Sequence, residues 1–63
     1  METLINNLIN GNLTQAKKQA KRFSEWQIRT ALAEAGVHSM PKATLAAAWL
    51  KGCNCWQAYC DAN

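Results

Sequence analysis

The run from Lys42 to Lys51 constrains this chain more than any other stretch. It reads Lys-Ala-Thr-Leu-Ala-Ala-Ala-Trp-Leu-Lys. On a helix advancing by about 100° per residue, Ala43, Ala46, Ala47 and Leu50 fall on one side, and Leu45, Ala48 and Trp49 fall on the other. A helix that is apolar all the way round must be covered all the way round. Alanine is also the best helix former, and its small side chain lets neighbouring backbones come close. The stretch therefore predicts a central Ala-rich helix with other helices packed around it. Ala46, Ala47, Trp49 and Leu50 are expected to lie deeply buried.

The punctuation of the sequence supplies the other helices. Gly11, Gly36 and Gly52 each follow a helix-like run, where a left-handed residue closes the last turn. Asn12, Ser24 and Asn54 each have a glutamine three residues on, the spacing of a capping box. Ser24 with Gln27 is the most complete of these, because Phe23 and Ile28 flank it where a hydrophobic staple sits. The first helix is expected from about Thr3 to Asn10, with Leu4, Ile5, Leu8 and Ile9 as one apolar stripe. The second is expected from Leu13 to Arg22, turning Leu13, Ala16, Ala20 and Phe23 inward. The third runs from Glu25 to Ala35 on Ile28, Ala31, Leu32 and Ala35. Ser39 and Pro41 open the fourth, since proline is tolerated in a first turn. A short fifth helix spans Cys55 to Ala62. No alternating run rich in Val, Ile or Thr predicts a strand. The fold class is thus all-α, a compact bundle of about five short helices.

With 63 residues, the chain makes a single small helical domain, 1–63. A core of this size contributes roughly 3–5 kcal/mol, so three tryptophans are a meaningful share of what can fill it. Three cysteines, an odd count, argue against a disulfide framework. The N-terminus has no basic stretch followed by an apolar one, as a secretory leader would. No apolar run approaches the roughly 18 residues that span a bilayer. The expectation is a cytoplasmic protein with reduced thiols, no membrane contact and no cofactor, as a monomer or weak homodimer.

Charge is unevenly distributed. Of seven Lys and Arg residues, Lys17, Lys18, Lys21 and Arg22 fall within six positions, and no acid lies between Glu2 and Glu25. Lys17 with Lys21 and Lys18 with Arg22 form two i,i+4 pairs on the solvent side of the second helix. Such a face meets phosphates by charge neutralisation with little reading of sequence. Arg29 and Lys51 extend the patch if they fold onto the same side. The plainer reading is a solvated helix face.

Other signals are weaker. A helix-turn-helix over the third and fourth helices is rejected. Leu32 stands where that motif wants a small residue, Lys42 where it wants an apolar one, and Ala46, Ala47 and Ala48 have nothing to offer base edges. Cys53, Cys55, Cys60 and His38 do not have the paired spacing of a structural zinc site, so no metal is expected and the cysteines read as small apolar residues. Trp26 lies opposite Ile28 and Leu32, as a second core contact or an exposed anchor. Trp56 and Tyr59 recur at i,i+3 and pose the same question, with Trp56 assigned to the core. Glu25 and Glu34 lie on opposite sides of one helix, His38 has no evident partner and no glycine-rich phosphate loop is present. Catalysis is therefore not expected. Two functions remain: a non-enzymatic module meeting nucleic acid or another polyanion through Lys17, Lys18, Lys21, Arg22 and Arg29, or a protein-binding adaptor or inhibitor using Trp26 and Tyr59.

Overall fold

The computed structural model describes residues 1–62 and carries five helices: α1 (Glu2–Ile9), α2 (Leu13–Ala20), α3 (Glu25–Glu34), α4 (Met40–Leu50) and α5 (Trp56–Asp61). The protein is an all-α bundle, with no strand among the described residues. Its extents of 24 × 24 × 21 Å are nearly equal, so the helices fold back on one another and do not form a rod.

α4 is the central element, packed against α3 most extensively and also against α5 and α2. α1 joins the bundle by packing on α2. The reason lies in side-chain size. The buried residues of α2 are Ala16 and Ala20, and those of α4 are Ala43, Ala46, Ala47 and Leu50. Leu4 and Leu8 from α1, Ile28 and Leu32 from α3 and Tyr59 from α5 complete the core. Small residues on the inner helices leave room for the larger ones that outer helices bring in.

The caps explain where the helices begin and end. Ser24 and Gln27 form the full capping box: Gln27 N–H donates to Ser24 Oγ at 3.1 Å, and Ser24 N–H donates to Gln27 Oε1 at 2.9 Å. α1, α3 and α4 close with the same doubled turn, in which Asn12, Val37 and Cys53 N–H donate to the carbonyls of Asn7, Leu32 and Ala48 at 2.8, 3.2 and 2.9 Å. At Gly52 this turn demands φ of +103°, a conformation side chains disfavour. α2 ends differently. Its α-helical bonds stop at Ala20, short of the expected Arg22, and Lys21, Arg22 and Phe23 N–H reach only three residues back.

The other two capping-box spacings do not form boxes. Asn12 is the N-cap of α2, but its side chain donates to Asn7 Oδ1 at 3.3 Å and makes no cap bond. α5 starts one residue later than expected, with Cys55 at the N-cap, so Asn54 is out of register; Gln57 instead donates to Asp61 Oδ1 at 3.1 Å.

Three burial expectations are also corrected. Ile9 is 56% exposed, because α1 makes substantial contact with α2 alone and one neighbour covers only one strip. Ala35 is exposed because it is the C-cap, beyond the last packed turn of α3. Trp49 is half-buried, not deeply buried, since the side of α4 that carries Leu45, Ala48 and Trp49 is covered only in part. No helix among the described residues is long and apolar enough to cross a membrane.

Candidate functional site

Burying Ala16 and Ala20 turns the rest of α2 outward, and its two basic rows then face different surroundings. Lys17 and Lys21 line an open cleft of about 270 Å³ together with Leu50, Lys51 and Gly52. Arg22 lines a smaller recess of about 160 Å³ on the α1 side, with Met1, Thr3, Leu4, Gln19 and Phe23. Lys18 is exposed and lines neither.

Lys51 completes the larger cleft, as its sequence position had allowed. Its Nζ donates to the carbonyls of Ala20 at 3.1 Å and Phe23 at 2.9 Å. These carbonyls sit at the frayed end of α2, where the helix dipole is negative and favours a cation. The ammonium is thereby held in place, with one of its three donors left over. The result is three lysine side chains from two parts of the chain lining one cleft with Leu50 and Gly52, and no acidic residue among its described lining residues. Arg29 does not join them. It is half-buried on α3, lines neither recess, and its Nε is buried without a hydrogen-bond partner among the described residues.

The basic row runs directly into an aromatic one. Lys17 Nζ lies 4.4 Å from the centre of the Trp49 ring, a cation–π contact. Trp49 meets Trp56 at 4.6 Å between ring centres, and Trp56 meets Tyr59 at 5.3 Å, both tilted by just under 50°. Tyr59 in turn meets the His38 ring edge-on at 5.4 Å, and Lys42 Nζ lies 5.2 Å from its centre. Sequence reading did not place Lys17 and Lys42 on aromatic rings. Only the crossing of α2 over α4 and the return of α5 bring them together.

The aromatic assignments change accordingly. Tyr59 is buried, at 8% exposure, and its hydroxyl is 2.8 Å from His38 Nε2, so it is not an exposed partner-binding residue. α5 has under two turns, and Tyr59 is the one residue it buries. Trp56, expected in the core, is 37% exposed and forms the outer surface of the ring row. Trp26 is 63% exposed, which resolves its two alternatives in favour of the surface.

The titratable groups near the row follow their surroundings. Burial holds the His38 pKa below the usual 6.5, the Lys42 charge lowers it further, and a backbone hydrogen bond at Val37 partly opposes both. Burial pushes the Tyr59 phenol up, with the neighbouring Cys60 adding to it. Removal from water pushes the Cys55 thiol up, helped by a hydrogen bond with Cys53; its Sγ also donates to the Leu45 carbonyl at 3.5 Å. All three cysteines are free thiols. No three of the described His, Cys, Asp and Glu residues stand close enough to hold a metal ion.

Compared with protein-family models, with curated proteins and with solved structures, the chain matches none.

Proposed function

We propose that this chain is a non-enzymatic binding module that takes nucleic-acid phosphates into the cleft formed by Lys17, Lys21 and Lys51. The supporting observation is that three lysine side chains line one cleft, one of them pinned by two carbonyls, with no acidic side chain among the described lining residues. Fixed cations lose little freedom on meeting an anion, so less of the attraction is offset by ordering. Among the described residues the cleft lining carries no Arg, Asn or Gln, and lysines meet phosphates as point charges, so binding is mainly to the backbone and only weakly dependent on sequence.

Gel-shift titrations across a salt series test this. Three engaged cations give a log–log salt slope of about −2 to −3. Replacing Lys17 and Lys21 together by Gln, a comparable helix former, is expected to remove most of the binding. Replacing Lys18 and Arg22 together is expected to remove much less. Equal losses from the two pairs, or no shift by the wild-type protein at low salt, would count against the cleft.

A second reading, a protein-binding adaptor, rests on Trp26, which places a large ring in water on the far side of α3 from its buried residues. Interfaces favour such anchors. Its test is whether Trp26→Ser leaves nucleic-acid affinity intact while abolishing capture of a protein partner.

A further inference from the structure

Resting on that cleft reading, we infer that the ligand is a single strand, with an unpaired base stacked on Trp56 while its phosphates lie along Lys17, Lys21 and Lys51. In spatial order the surface runs from the lysine cleft to Trp49, Trp56 and Tyr59, and then to Lys42. Cations therefore stand at both ends of a row of rings. Lys17 belongs to the cleft and to the first ring contact, so a backbone held in the cleft is already beside the aromatic row.

Trp56 is the most exposed member of this row. Tyr59 is buried and Trp49 is half-covered, whereas Trp56 is 37% exposed. It is also braced on two sides, by Trp49 at 4.6 Å and by Tyr59 at 5.3 Å. A braced ring is a ready platform. Stacking on it is open to every base, because every base has a π-face. Base faces in a duplex are already stacked on one another, and only the edges are presented in the grooves. A duplex can therefore use the lysines of this surface but not its exposed ring. Charge alone would suit either form of nucleic acid; the ring beside the charge selects the single strand.

The experiment compares a fluorescein-labelled oligothymidylate with a mixed-sequence duplex of equal length, by anisotropy at low salt, for the wild-type protein and for Trp56→Leu and Trp56→Phe. Leu keeps the apolar bulk without the stacking face, and Phe keeps a face. The wild type is expected to bind the single strand more tightly than the duplex. Trp56→Leu is expected to lose on the order of tenfold or more in single-strand affinity with duplex affinity unchanged, and Trp56→Phe to retain most of it. Equal single-strand affinity in Trp56→Leu overturns the inference, as does a parallel loss for both ligands. Binding of duplex without preference for the single strand overturns it while leaving the cleft reading intact; binding of neither ligand removes both. If Trp56→Leu loses helicity, tryptophan emission in the Trp26→Phe background decides, since single-strand binding must then quench the signal from Trp49 and Trp56. Unchanged emission on saturation with oligothymidylate overturns the inference.

Discussion

A lysine side chain has three N–H donors, and at Lys51 two of them are committed to the carbonyls of Ala20 and Phe23. Lys51→Met keeps most of the aliphatic stem and removes both bonds, so it is expected to lower stability by about 1–2 kcal/mol in urea denaturation. The same change at Lys18, an exposed residue, is expected to fall within about 0.5 kcal/mol of wild type. His38 gives a pH dependence whose sign is fixed by its lowered pKa. As pH falls below the usual 6.5, the unfolded chain takes up the proton first, so stability declines until the folded pKa is passed and then levels off. The urea midpoint should drop as pH falls through the usual 6.5 and level off below the lowered folded-state pKa, and the drop should be smaller in His38→Asn. The thiols differ as well. Cys53 and Cys60 are exposed, whereas Cys55 is half-buried, donates to Leu45 and has its pKa raised. Timed alkylation read by mass spectrometry is expected to label Cys55 last.

At the scale of the element, α3 and α4 show what local sequence can specify. The Ser24 and Gln27 box formed where both side chains meet the helix end, with Ile28 in the core and Phe23 packed against it. Ser24→Ala is expected to cost about 1 kcal/mol, measured by thermal melting. The centrality of α4 was legible from its all-round apolarity, and Ala47, like Ala43 and Ala46, is fully buried. Ala47→Asp introduces an unpaired charge there and is expected to abolish cooperative unfolding; a variant melting like the parent would contradict the packing. Asn12 and Asn54 had the same glutamine spacing as Ser24 and formed no box. In one case the side chain met another asparagine, and in the other the helix started a residue late. A three-residue spacing records opportunity, while the register of the chain entering the helix decides the outcome. The same distinction separates Ile9 from Leu8: both fit the apolar stripe of α1, but only one strip of that helix has a neighbour.

At the scale of the whole molecule, the candidate site was legible only in its first half. The clustering of Lys17 and Lys21 is a property of one helix and can be read from it. Their meeting with Lys51 and Trp49 depends on how α2 crosses α4, which helical periodicity does not encode. Arg29, grouped with them on charge alone, went elsewhere because α3 packs on the rest of α4 and lines neither recess. That crossing has a further consequence. The pairs α1 with α2, α3 with α4 and α4 with α5 join neighbours in the chain, and α2 with α4 is the one substantial pairing that skips an element. Its Lys51 bonds bridge sequence separations of 31 and 28 residues. Closing so long a loop is entropically unfavourable until the hairpins at its ends exist. The α2 with α4 junction should therefore assemble after the barrier, so that Lys51→Met quickens unfolding and leaves the refolding rate nearly unchanged in stopped-flow chevrons. The surface that gathers the three lysines would then be the last part of the protein to form and the first to open.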